Sequence, residues 1–267
     1  MIIMTKLLNR SGIVSLLLSL SCAVVWAEEE FPVEVRALPA DLRAKTPSLN
    51  PEYLVFMSEV EGDQKLPMLI FLHGAGGRGD DIQRTKKKQS MSWKGIQNAG
   101  KGPCIVVTPQ AVKKTKDNRD TPGWIPEELN VFLAHLKETL PVDTSRIYLS
   151  GNSMGGRGSW AWGASNPEHF AAVAPISGGV GRGEPEEISA TIDAWAVNLA
   201  KVPVYAYAGE LDKTVPASGS KRMVAAIKKA GGTEVNLFVH PEKGHNMGGL
   251  VRLWDVHYHW MFSQQLK

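Results

Sequence analysis

The chain has 267 residues, 43% of them apolar and 21% charged, with a formal net charge of +3. That balance suits a globular protein of one large domain and excludes a disordered or collagen-like chain. A charge so close to zero leaves no footprint for nucleic acid, and the short basic runs 84–88 and 113–116 read as solvated loops or helix faces.

The first 27 residues read as an export signal. Lys6 and Arg10 give a positive start, residues 12–27 carry no charge, and Val25-Trp26-Ala27 precedes three glutamates. The apolar run is shorter than the ~20 residues that span a bilayer comfortably, so no stable membrane insertion is expected after cleavage near Ala27. Cleavage before Cys22 with lipid attachment is disfavoured, because Ser19 stands where that pattern wants leucine. The mature chain would be secreted or periplasmic. Loss of Lys6 and Arg10, with no acid lost, takes the net charge from +3 to +1 and leaves Cys104 as the one cysteine. A single cysteine closes no intramolecular disulfide, so a packed core must supply the stability. Cys104 opens an apolar run and reads as a buried small hydrophobe.

Residues 28–50, rich in proline and charge, read as a surface lead-in to one domain over 51–267. Strands are expected at 53–60, 67–72 and 104–108, the second being a continuous apolar run suited to burial on both faces. A helix follows at 126–140, with proline in its first turn and apolar residues at 129, 132, 133, 136 and 140. A strand at 146–150 leads to a helix at 155–165, closed by Asn166-Pro167. Strands at 170–176, 202–208 and 234–240 and helices at 217–229 and 250–264 complete the chain. The alternation implies a mostly parallel sheet with helices on both faces, and such sheets bind ligands beyond the carboxyl ends of their strands. No long insertion suggests a large lid; 178–195 is the one short candidate cap.

Between the strand ending at Ser150 and the next helix stands Gly151-Asn-Ser-Met-Gly-Gly156. Strand, sharp turn with serine at its apex, then helix is the context of a nucleophile elbow, where glycines let strand and helix approach closely. Nothing in the sequence accounts for asparagine at 152. A serine hydroxyl needs a general base, and His245, in the glycine-rich loop after the last strand, is the first choice, with His240 in reserve. Asp212, on the loop after strand 202–208, is the acid that would orient the imidazole, with Glu210 its near competitor. The oxyanion donors would be the backbone N–H of Met154 and one from the loop His73-Gly-Ala-Gly-Gly77, with Ala75 chosen and Gly74 close behind. His73 reads as an organiser of that loop. Trp124 and Gln110 are candidate substrate-contacting residues. No metal-ligand spacing or phosphate loop occurs, and no cofactor is expected.

The segments 73–81 and 146–156, Gly209-Glu-Leu-Asp212 and Gly244-His-Asn246 resemble the secreted α/β-hydrolases of the polyhydroxybutyrate-depolymerase and feruloyl-esterase kind, over roughly residues 51–262. Ser-Met-Gly-Gly followed by Trp160, together with 170–178, is similar to the branch described as carboxylesterases or predicted peptidases. The resemblance implies an α/β-hydrolase fold with a minimal lid. It also implies hydrolysis of carboxylic esters by a serine triad without a cofactor, on short-chain, aryl or polymer-attached esters. One departure is Gly77, where the family often carries glutamate. A serine peptidase, or a non-catalytic binding protein on the same scaffold, remains an alternative.

Overall fold

The computed structural model describes residues 32–113, 123–180 and 185–266. The expected export signal at 1–27, Glu28 to Phe31, and most of the basic run at 113–116 lie outside these residues.

Eight strands form one sheet. They are β1 (Val33–Ala37), β2 (Leu49–Met57), β3 (Leu66–Leu72), β4 (Ile105–Ala111), β5 (Val142–Asn152), β6 (Ala172–Ile176), β7 (Val204–Gly209) and β8 (Val235–His240). Their order is β1-β2-β4-β3-β5-β6-β7-β8. β1 and β2 run antiparallel at one edge, and every pair from β4 onward is parallel. This is the mostly parallel α/β-hydrolase sheet that the alternation of elements implied.

Parallel strands buried on both faces must be apolar throughout, and β3 is buried at all seven positions. Met68, Ile70 and Leu72 face one core; Leu69 and Phe71 face the other. The first core is covered by α3 (Pro126–Thr139), α4 (Met154–Ser165), α5 (Pro185–Leu199) and α6 (Ala217–Lys229). Leu129, Phe132, Trp160, Trp162, Met223 and Ile227 fill it. The second is covered by α2 (Lys86–Asn98), α7 (Met247–Val251) and α8 (Asp255–Phe262) through Trp93, Ile96, Met247, Val251, Tyr258 and Met261. Each such side chain contributes about 1.5–3 kcal/mol by leaving water. Cys104 is buried in this second core, and burial pushes its thiol up to about 12.

Several stretches differ from the sequence expectation: α2 is not among the expected helices, β5 starts at Val142 rather than residue 146, and three further differences bear on the layers. The lead-in is structured: β1 and the short helix α1 (Ala40–Arg43) precede β2, which starts at Leu49 rather than Tyr53. β1 is an edge strand with no fully buried residue; its Val33-Glu-Val-Arg-Ala37 does alternate, but the short run sits in a stretch rich in proline and charge that reads as surface. The candidate cap at 178–195 runs into α5, whose Ile192, Ala196 and Leu199 form a helical stripe in the first core; α5 is a layer helix. The final helix is two, broken at 252–254. A Cβ on Gly95 of α2 would overlap the Arg252 carbonyl, and that carbonyl accepts the Tyr258 hydroxyl at 3.0 Å. The chain bends there to fit α2.

Candidate active site

β5 ends at Asn152 and α4 begins at Met154, so Ser153 alone makes the turn. Its φ of 58° and ψ of −112° lie where a side chain is strained, a conformation worth roughly 1–3 kcal/mol against the fold. The Ser153 N–H is tied to the Ile176 carbonyl at 2.8 Å. The three glycines mark close backbone approaches. A Cβ on Gly151 would stand 2.5 Å from the Gly155 carbonyl oxygen, one on Gly156 would stand 2.5 Å from that of Ile176, and one on Gly155 would overlap the Leu72 carbonyl. Leu72 lies in a central strand and cannot yield. Gly155→Ala is therefore expected to destabilise the protein by about 3 kcal/mol or more. Gly76→Ala, where a Cβ meets nothing within 4 Å, should stay within about 0.5 kcal/mol. Thermal melts of the two variants check this, and equal melting points would contradict the packing account.

The structure brings Ser153, His245 and Asp212 together. His245 Nε2 lies 2.8 Å from Ser153 Oγ, and Nδ1 lies 2.8 Å from Asp212 Oδ2. Asp212 stands between β7 and α6, and His245 between β8 and α7. The Asp212 side chain is 0% exposed and that of His245 32%. Asp212 Oδ1 accepts the N–H groups of Thr214 and Val215 at 2.9 and 2.8 Å. The carboxylate is thus fixed by backbone on one oxygen and by imidazole on the other. With Nδ1–H donated to Asp212, Nε2 is free to accept the serine proton. The competitors are engaged elsewhere. Glu210 pairs with Lys221 at 2.8 Å on the surface. His240 Nδ1 accepts the Glu242 N–H at 3.2 Å.

Beside the serine, Gly74 packs against the elbow; a Cβ there would sit 3.4 Å from Ser153 Cβ and 3.2 Å from the Asn152 carbonyl oxygen. Ala75 begins a single 3-10 turn through Gly77, and Met154 is the first residue of α4. Neither Ala75 nor Met154 donates its N–H to a turn or loop carbonyl among the described residues, and a helix N-terminus favours negative charge. Asn152 is wedged between the Gly74 loop and the start of α7. A Cβ on Gly248 would stand 2.5 Å from its Oδ1. Its side chain thereby packs together the segments that carry Ala75, Ser153 and His245, which sequence reasoning missed.

His73 organises the loop. Nδ1–H donates to the Gly74 carbonyl at 2.7 Å and Nε2 accepts the Ala111 N–H at 3.0 Å, which sets the neutral tautomer. The departure at Gly77 follows from this ring, since a Cβ there would stand 2.5 Å from His73 Cγ.

Trp124 and Gln110 do not present themselves to a substrate. Trp124 is 3% exposed, donates Nε1–H to the His73 carbonyl at 3.1 Å and packs against Gly158 of α4. Gln110 is 2% exposed. Its oxygen accepts from Asn50 Nδ2 at 2.6 Å, and its Nε2 donates to the carbonyls of Gly77 and Asp81 at 3.0 and 3.3 Å. Both hold the loop of Ala75 from behind. A polar residue at a strand end can turn to the cleft or to the adjoining loop, and here the buried loop carbonyls claim it.

Burial holds His73 down to about 4, and does the same to His257, which sits in the second core against the Tyr207 hydroxyl, to about 3. Their ordinary value is 6.5. From pH 6.5 downward the unfolded chain takes up protons that the fold refuses until about pH 4. Their contribution to stability is complete above pH 6.5 and is lost as the pH falls through that window. At ~1.4 kcal/mol per proton and pH unit, the loss by pH 5 is on the order of 2–4 kcal/mol. Urea midpoints at pH 7 and pH 5 test this; equal midpoints would contradict it.

Residues 104–248 match the dienelactone hydrolase family, slightly more than half of the chain. The chain belongs to the dienelactone hydrolase family. A Methylorubrum extorquens protein that carries the name carboxymethylenebutenolidase is 31% identical over 52% of this chain and 45% of its own length. A protein of Aspergillus terreus named probable feruloyl esterase C is 28% identical over 48% of this chain and 47% of its own. The matches thus span less than half the length of these relatives. Among solved structures, a thermostable esterase superposes with a TM-score of 0.68 at 24% identity, covering 88% of this chain and 63% of that one. A ferulic acid esterase gives 0.64 at 18% identity, covering 86% and 98%. At those identities the likeness establishes the fold. The dienelactone hydrolase family places the chain among hydrolases with esterase relatives. Among the described residues no cluster of His, Cys, Asp or Glu is arranged to hold a metal ion, and no helix is long and apolar enough to cross a membrane.

Proposed function

We propose that the protein is a serine-dependent carboxylic ester hydrolase. The observation that carries this is the hydrogen-bonded run from Asp212 Oδ2 through His245 to Ser153 Oγ, at 2.8 Å on both sides, on a strained elbow. In this reading Ser153 Oγ attacks the ester carbonyl carbon and His245 Nε2 takes the hydroxyl proton. Asp212 holds the tautomer and steadies the imidazolium. The N–H groups of Met154 and Ala75 receive the oxyanion. Collapse of the tetrahedral adduct expels the alcohol, which takes the proton from His245. Water, deprotonated by His245, then attacks the acyl-enzyme and releases the acid.

Short-chain, aryl or polymer-attached esters are the proposed substrates. The relatives named as feruloyl esterases support the aryl class, and the absorption of α5 into the first core supports an accessible site. The charge-then-apolar pattern of residues 1–27 supports an exported enzyme. The test is a screen of p-nitrophenyl esters of rising acyl length, with methyl ferulate and a peptide p-nitroanilide alongside. Ester turnover well above anilide turnover is expected. A preference for the anilide would favour the peptidase reading, and no turnover of any would favour a binding protein.

A further inference from the structure

Arg78 stands three residues beyond Ala75 and lies outside the triad. Its backbone N–H donates to the Ala75 carbonyl at 3.2 Å, so it closes the turn that Ala75 opens. Its side chain crosses to the other proposed oxyanion donor: Nε donates to Met154 Sδ at 3.2 Å, and Nη1 donates to the Val112 carbonyl at 3.2 Å. The Met154 side chain is pinned from the other flank by Gly123, where a Cβ would overlap its sulfur. One guanidinium therefore touches the residue after the nucleophile while its own backbone shapes the loop of the second donor.

No carboxylate among the described residues forms an ion pair with Arg78, and Asp81 of the same loop is taken by Arg84 at 3.0 Å. A thioether is a weak acceptor and a carbonyl carries no charge. Arg78 is half-buried, and its guanidinium lies against the side chain of Met154, whose N–H is one of the two proposed oxyanion donors.

We propose that Arg78 is a positioning residue of the oxyanion site: it sets the spacing of the Met154 and Ala75 segments and places a positive charge beside them. This rests on the ester-hydrolase reading. An electrostatic contribution of this kind acts on the transition state more than on bound ester, so it should appear in kcat.

The experiment compares Arg78→Met and Arg78→Lys with the wild type. It measures kcat and KM on p-nitrophenyl acetate and inhibition by phenylboronic acid, which forms a tetrahedral anionic adduct on a serine. Arg78→Met is expected to lower kcat about 10- to 100-fold at nearly unchanged KM and to weaken the boronic acid by a similar factor. Arg78→Lys keeps the charge but loses the fork and should fall between. Should Arg78→Met fail to fold, Arg78→Lys alone decides, since wild-type kcat and boronate affinity there would overturn the proposal. Wild-type values in a folded Arg78→Met, or a lower melting point with unchanged kcat per active site, would also overturn it. So would a loss confined to the KM of a negatively charged ester, which would make Arg78 a substrate-binding group. Ser153→Ala, run in parallel, separates the two levels: if it stays active the hydrolase reading fails, whatever Arg78 does.

Discussion

Ser153→Ala protein is expected to turn over p-nitrophenyl acetate about 10,000- to 1,000,000-fold more slowly than the wild type. Ser153 Oγ is the atom that His245 Nε2 meets at 2.8 Å, and among the described residues no second hydroxyl is bonded to that nitrogen. The variant should still fold. The Ser153 backbone bond to Ile176 and the close approaches of the three glycines do not involve the hydroxyl. Alanine inherits a φ that serine already endures. What remains would be His245 acting on water, with the oxyanion donors intact. Turnover within tenfold of the wild type, in a protein with the wild-type melting point, would remove Ser153 from the mechanism.

Asp212→Asn should lower kcat about 1,000- to 10,000-fold with little change in KM. The buried carboxylate accepts at three points: His245 Nδ1–H, and the N–H groups of Thr214 and Val215. The asparagine oxygen can keep the two backbone donors, but its amide then points N–H at His245 Nδ1. The imidazole must carry its proton on Nε2, facing Ser153 Oγ, and cannot accept the serine proton. The geometry survives while the base is lost. Asp212→Asn activity within a few-fold of the wild type would show that the tautomer is set by another group. Glu210 is the first alternative to examine, because Glu210→Gln should otherwise disturb only its surface pair with Lys221.

Much of this site is legible in the sequence because its constraints are local. Glycine at 151, 155 and 156 around a serine has few uses besides a crowded elbow, and the structure gives each glycine its own backbone neighbour. Ser153, Asp212 and His245 follow from a second regularity: each stands just past the carboxyl end of a strand, where parallel sheets gather their loops. The residues that sequence reasoning misplaced depend on tertiary contacts instead. Gln110 and Trp124 do sit at the right end of the sheet. Which way they turn is decided by the carbonyls of Gly77, Asp81 and His73. The break between α7 and α8 carries no glycine or proline, and is imposed by α2 pressing Gly95 against Arg252. β1 carries the alternation that signals a strand, but over only five residues in a stretch whose proline and charge read as surface. Arg78 is visible in the loop motif, but only the structure reveals that its side chain reaches Met154.

Arg252 illustrates the same limit from the second core. It is 4% exposed, donates to the carbonyls of Gly248 and Lys88 and stacks over Phe71 at 4.8 Å, with no acid partner among the described residues. Nothing in its sequence setting marks it as buried. Its contacts tie α7, and thereby the loop that holds His245, to α2 and β3.

The central claim is that Ser153 is a nucleophile activated by its neighbours. Stoichiometric labelling of the folded protein with a fluorophosphonate, followed by peptide mapping by mass spectrometry, tests it most directly. One adduct per chain on Ser153, with ester turnover lost in proportion to labelling, is the predicted result. An adduct on another residue, or full ester turnover with Ser153 unlabelled, would contradict it.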